Sequence, residues 1–129
     1  MRHRNNKLLK IRGSVQSRDL TMRTMLTNLV RYGHLTTTEK KAKVLVAYAD
    51  SFFAKLVSMN TTLEASTAQR ESIRWVKARI YGNDEGRKVI RELVPALLTK
   101  KVNSGFFTSV KLWKRIGDAA EQVRIEFVQ

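Results

Sequence analysis

Read from the amino terminus, the apolar positions first take a helical rhythm between about Ser17 and Tyr32, where Met22, Met25, Leu26, Leu29 and Val30 share one face. Arg23, Thr27 and Arg31 recur four apart on another, and Gly33 stands where a left-handed stop residue belongs. Thr36, Thr37 and Thr38 suit an extended segment by β-branching, and Thr38 is placed to cap the helix that follows. That helix is the longest and best patterned, with Ala42, Leu45, Val46, Ala49, Phe52, Phe53, Leu56 and Val57 forming one broad core-facing stripe. Beyond the polar link Asn60 to Ala65, Ser66 with Gln69 three residues later reads as a capping box. It opens a helix to about Tyr81 that turns Ile73, Val76 and Ile80 inward, while Arg70, Arg74, Lys77 and Arg79 point elsewhere. Gly82 to Gly86 reads as a turn. Another helix then runs to about Thr99 on Val89, Ile90, Leu93, Val94, Leu97 and Leu98, bent or weakened at Pro95.

The period then changes from helical to two. Between Phe106 and Ile116 one face would carry Phe106, Thr108, Val110, Leu112 and Ile116, and the opposite face Phe107, Ser109, Lys111, Trp113 and Arg115. Gly117 and Asp118 begin a connection, Asp118 bonding nearby backbone N–H groups. Glu121 to Val128 reads as the partner strand, with Val123, Ile125 and Phe127 facing one way. The short strand near Leu35 joins the same sheet. Helix, strand, three helices and two strands predict an α+β two-layer sandwich, residues 17–129, preceded by a basic extended arm, residues 1–16.

Charge changes this picture from an ordinary small globule to one that needs a polyanion. Over 129 residues the formal net charge is +14, with 25 Lys and Arg against 11 Asp and Glu. The excess is shared: residues 1–64 carry 12 bases and 4 acids, residues 65–129 carry 13 and 7. Self-repulsion on that scale destabilises a compact state, so a nucleic acid is the leading partner, ahead of an anionic membrane surface. No cysteine is present, which excludes disulfides and thiolate metal sites. No apolar run reaches the ~18–20 residues of a bilayer span.

Three basic groups stand out. Arg2, His3, Arg4, Lys7, Lys10 and Arg12 lie in an arm without an acid, followed by Arg18 and Arg23 on the first helix. Lys40, Lys41 and Lys43 open the central helix, where unpaired N–H groups already carry partial positive charge. Cations are disfavoured there by about 0.3–1 kcal/mol each, so an anion such as phosphate is expected to complete the site. Phe107, Lys111, Trp113 and Arg115, with Lys114, mix aromatics and cations as a stacking surface for unpaired bases does. The competing reading, that Phe107 and Trp113 pack under the helices or cover the sheet edge, stays open. The helix, turn and helix at Ile80 to Leu93, with Arg87, Lys88 and Arg91, carry an alternative reading as a DNA-binding architectural or regulatory module. Asp84 and Glu85 at the start of the second helix and Pro95 within it argue against a major-groove reader. No histidine, carboxylate and nucleophile set with catalytic or metal-ligand spacing is found, so neither an enzyme nor a cofactor is expected.

The opening MRHR at Met1 to Arg4, Leu29-Val30 with Gly33, Thr37-Thr38, KAK at Lys41 to Lys43, Leu112, GDAAE at Gly117 to Glu121 and IEFV at Ile125 to Val128 together resemble the bacterial large-subunit ribosomal protein seventeen family. The resemblance implies a non-catalytic α+β component of the large ribosomal subunit, monomeric there, cytoplasmic, touching neighbouring ribosomal proteins and no membrane. It implies binding to large-subunit rRNA near the nascent-chain tunnel exit, through the arm, Arg18, the start of the central helix and the strand from Lys111 to Arg115. Departures from the family pattern are the bulky KLLKIRG of the arm, Ser17 where a histidine is usual, and Phe106-Phe107-Thr108 in place of a Tyr-Thr-Arg run.

Overall fold

Residues 11–128 are described by a computed structural model. Helix α1 (Val15–Tyr32) begins slightly before the expected Ser17, because Ser14 supplies the cap: its Oγ accepts from the Ser17 N–H at 3.2 Å. The helix stops at Gly33, whose φ of 77° needs a residue without Cβ, and whose N–H donates to the Leu29 carbonyl at 2.9 Å. Strand β1 (His34–Thr38) leads straight into α2 (Glu39–Thr62). Thr38 holds the N-cap backbone position, but its side chain makes no capping bond. The α2 stripe is as the pattern predicts, with Ala42, Leu45, Ala49, Phe52, Phe53, Leu56 and Val57 buried, and Val46 packed at its margin.

Helix α3 (Ala65–Arg79) is capped from Glu64, not Ser66, and has no side-chain cap bond. Its buried face is Ala68, Ser72 and Val76, whereas Ile73 stays half-exposed. Small residues at four-residue spacing let α3 approach α2 closely, and Asn60 Nδ2 of α2 donates to Ser72 Oγ at 3.2 Å across the seam. Trp75 Nε1 adds a bond to the Phe52 carbonyl at 3.2 Å. After α4 (Asn83–Lys88) come a π-type turn (Val89–Leu93) and α5 (Val94–Thr99), all in continuous right-handed helical backbone. Pro95 has no N–H and crowds the carbonyl four residues back. The chain answers by widening just ahead of it, where the Val94 N–H reaches the Val89 carbonyl five residues away. The bend expected at Pro95 is therefore a π turn preceding it.

Strands β2 (Phe107–Lys114) and β3 (Glu121–Phe127) form a hairpin, and β1 pairs with the other side of β3, giving the antiparallel order β1-β3-β2. Val123 and Ile125 face the helices and are buried; Gln122, Arg124 and Glu126 lie on the opposite, open face. The result is the expected α+β sandwich, one layer of sheet on one of helices. Phe53 of α2 sits at its centre, with ring centroids 5.0 Å from Phe52, 5.3 Å from Phe127, 5.7 Å from Phe107 and 6.1 Å from Phe106. Ile11 reaches this core as well.

The hairpin corrects the simple alternation expected from Phe106 to Ile116. Phe106 precedes the strand, is buried, and donates its N–H to the Asp50 carboxylate at 3.2 Å. Phe107 is buried too, 4.5 Å from Phe127, so it is core and no part of a stacking surface. Further along, Lys111 pairs with Val123 but Lys114 with Glu121, so β2 carries one extra residue in a bulge. Past it the faces exchange: Lys114, not Trp113, shares the face of Lys111.

Candidate nucleic-acid interface

Because Thr38 lies opposite Gln122 and Lys114 opposite Glu121, the first turn of α2 and the far end of the hairpin meet at one end of the molecule. That end gathers Lys40, Lys41, Lys43, Lys111, Trp113, Lys114 and Arg115, all exposed. Lys43 Nζ and Lys111 Nζ converge on Glu39 Oε1 at 3.3 and 3.5 Å. Glu39 is the first residue of α2, where a carboxylate suits the positive helix end. Its carboxyl is held below the usual range by a hydrogen bond with Glu121, then by Lys43 and Lys111. The anion expected to complete the site is thus partly supplied by the chain itself. Exposed pairs of this kind are weak and screened by salt, so both lysines stay available to external phosphates.

The connection beyond β2 is built around one ion pair. Arg115 Nε and Nη2 donate to the two Asp118 carboxylate oxygens at 2.9 and 2.5 Å, and Asp118 also accepts from the Ala120 N–H at 3.2 Å. The Arg115 guanidinium and then the Ala120 amide hold the Asp118 carboxyl down at about 2. Backbone bonds from Arg115 N to Ala120 O and from Ala119 N to Arg115 O close the turn, with Ala119 left-handed at φ 55°.

Those of the remaining candidate residues that the structure describes do not join this cluster. Arg2, His3, Arg4, Lys7 and Lys10 lie outside the described residues, and Arg12 is exposed. Arg18 is half-buried, its Nε donating to the Ser14 carbonyl at 3.4 Å. Arg23 lays its guanidinium 4.3 Å from the centre of the Tyr81 ring, an intramolecular cation–π contact. Nor does the helical hairpin present a recognition helix. Lys88 Nζ donates to the Arg31 carbonyl at 3.3 Å, Glu85 pairs with Arg31 at 2.6 Å, and α4 has only 6 residues before the π turn. Sequence reasoning missed a groove of about 690 Å³ between α3 and α4, with Ile73, Ile80 and Ile90 lining it beside Lys77, Arg87 and Arg91. Arg87 and Arg91 at four-residue spacing were its available signal. It also missed Arg124, on the open face of the central strand and ion-paired with Glu126.

The family model described as Ribosomal protein L17 matches residues 21–128, which include β1, α2 and the whole hairpin. The chain belongs to this family. Relatives match along almost its whole length. The large ribosomal subunit protein bL17 of Dictyoglomus turgidum is 34% identical over 128 residues, 99% of this chain and 100% of the relative. That of Nautilia profundicola is 30% identical over 132, covering 99% and 98%. That of Gemmatimonas aurantiaca is 29% identical over 128, again 99% and 98%. The resemblance carried by MRHR, KAK, GDAAE and IEFV is confirmed. Among the described residues of this L17-family chain, no three His, Asp or Glu side chains converge as metal ligands, and no helix is long and apolar enough to cross a membrane.

Proposed function

We propose that this L17-family chain is a structural constituent of the large ribosomal subunit that binds large-subunit rRNA and catalyses nothing. Its contacts are the basic arm, including Arg2, His3, Arg4, Lys7, Lys10 and Arg12, and the rim formed by Lys40, Lys41, Lys43, Lys111, Lys114 and Arg115. It sits as a monomer among neighbouring subunit proteins near the nascent-chain tunnel exit, in the cytoplasm. One observation carries the reading: the fold brings the basic start of α2 and the basic end of β2 to the same exposed rim, although they are remote in sequence. Such a rim neutralises phosphates that no lone helix face reaches together. The names of the bL17 relatives support the same particle.

The test is sedimentation of tagged chain from lysate after a high-salt wash. Travel with the large subunit is the expected result; recovery only at the top of the gradient overturns it. Removing residues 1–10, a cut that spares the buried Ile11, should weaken incorporation while the thermal transition of the globule persists. Equal incorporation of cut and full-length chains removes the arm from the contact set. Tighter binding to duplex DNA than to folded rRNA in direct competition would replace this function with the DNA-binding alternative.

A further inference from the structure

The hairpin end bears two large apolar side chains that the protein itself leaves uncovered: Trp113 is 76% exposed and Ile116 fully so. Neither exposure is an accident of a loose loop. Without the bulge between Lys111 and Lys114, Trp113 would follow Phe107 and Lys111 onto the helix-facing side of the sheet. The extra residue turns it away, which is a common use of bulges beside functional surfaces. The turn carrying Ile116 is held by the two-point Arg115–Asp118 pair and by two backbone bonds between Arg115 and the Ala119–Ala120 segment. It also tolerates Ala119 at φ 55°, a conformation disfavoured for a residue with Cβ and sustained only where surrounding bonds impose it. The apolar pair is therefore presented on a stiff scaffold.

Charge around the tip selects the occupant. Because β2 is an edge strand, Lys111 and Lys114 on one face and Trp113 on the other share its open edge, with Arg115 next in the chain. The nearby acids are already engaged: Asp118 by Arg115, and Glu39 by Lys43 and Lys111, with Glu121 beside it. An exposed aromatic on an edge strand with cations across that edge suits a nucleobase whose phosphates pass around the edge. Resting on the rRNA reading above, we infer that the β2–β3 tip is a stacking wedge for unpaired bases. Trp113 takes the face of a splayed base, Ile116 fills the space beneath its neighbour, and Lys114 holds the phosphate between them. The cations on α2 then bind phosphates without regard to pairing, and the tip distinguishes single-stranded or looped RNA from duplex.

The experiment uses the full chain carrying Trp75→Phe, so that Trp113 is the sole tryptophan and is excited selectively, titrated with a short unpaired RNA and with a blunt RNA duplex of equal length. Unpaired RNA should quench Trp113 emission strongly, and duplex RNA should bind without comparable quenching. Trp113→Ala should weaken binding to the unpaired RNA about tenfold or more, with the salt dependence unchanged, since the lost contact is uncharged. Trp113→Phe, which keeps a stacking face, should restore most of it. Lys114→Gln should instead flatten the salt dependence. If RNA binds but Trp113 is neither quenched nor needed, the wedge is wrong and rRNA binding stands. If Trp113→Ala binds RNA normally yet fails to enter subunits, the tip docks on protein and the inference is likewise overturned. If the chain binds neither RNA, the rRNA reading itself falls.

Discussion

Replacing Glu39 by Gln should make the protein a more salt-sensitive RNA binder. Glu39 is the acid at the centre of the basic rim, touching Lys43 Nζ at 3.3 Å and Lys111 Nζ at 3.5 Å, and it occupies the N-terminal end of α2, where an incoming phosphate would otherwise lie. Gln preserves shape and acceptor oxygen but removes the charge that competes with RNA for both lysines. Each phosphate newly neutralised steepens the log–log dependence of affinity on salt by roughly 0.7–0.9. Glu121 stays beside the site, so between one and two lysines are released, and the slope should steepen by about 0.7–1.8. The assay is filter binding or anisotropy with an rRNA fragment across a salt series, for wild type, Glu39→Gln and Glu39→Gln with Lys111→Gln. The double variant should return most of the way to the wild-type slope. Loss of the helix-end charge should lower stability slightly, leaving the thermal transition cooperative. Low pH should mimic the substitution: the Glu39 carboxyl lies below the usual 4.5, so its competing charge persists through the ordinary carboxylate range and disappears only below it. An unchanged slope, or weaker RNA binding by a folded Glu39→Gln protein, refutes the idea that Glu39 is an internal competitor.

Further outcomes follow from the same geometry. Phe53→Ala, at a fully buried site ringed by four phenylalanines, should cost about 3–5 kcal/mol, against under ~0.5 kcal/mol for Val110→Ala on the open face. With an unfolding entropy near 2.1 cal/mol/K per residue the Phe53 change lowers the thermal midpoint by roughly 10–18 °C, and similar losses for both variants would mean the sheet is covered on its other face. Lys101→Gly should stabilise by about 0.5–1 kcal/mol in urea, because Lys101 is left-handed at φ 55° and glycine relieves more strain than its added chain entropy offsets. Gly82→Ala should destabilise more than Gly33→Ala under the same titration: Gly82 at φ 87°, ψ 145° lies in a region essentially closed to residues with Cβ, whereas Gly33 at φ 77°, ψ −9° is left-handed with no atom within 4 Å of an added Cβ. Asp118, held at about 2 by Arg115, contributes stability that is complete above the ordinary 3.8 and fades as pH falls toward 2. Asp118→Asn should remove that part of the acid limb, and identical acid limbs would show that the pair contributes nothing.

What was legible in the chain was what large apolar side chains decide by themselves. The α2 stripe from Ala42 to Val57, the left-handed stop at Gly33 and the hairpin of the last two strands follow from periodicity and turn chemistry without tertiary information. Illegible were positions where a small or polar residue does the packing. Ala68 and Ser72 set the buried face of α3 because they allow close approach, so weighting by hydrophobic size pointed to Ile73 instead. The end of α5 near Thr99 is where the periodicity puts it, but the residue that closes it was hidden for a related reason. Lys101 takes the left-handed position that glycine usually announces, and the Val102 N–H to Leu97 and Lys101 N–H to Leu98 carbonyl bonds at 3.2 Å hold it there.

The site divides along the same line. That α2 opens with an excess of lysine is visible in sequence, but which anion answers it depends on a strand arriving from the far end of the chain. Lys111 reaches Glu39 only after β2 has paired with β3 and β3 with β1, so local charge counting assigned the whole deficit to an external phosphate. The bulge acts in the same way at Trp113. Strict alternation groups Trp113 with Phe107, yet one added residue between Lys111 and Lys114 separates a core aromatic from an exposed one. Both errors arise where a contact between distant segments overrides a local rule, and both fall on the rim that the proposed RNA contact uses. A surface that must leave cations and an indole available to another molecule cannot satisfy them locally, so local rules are least informative there.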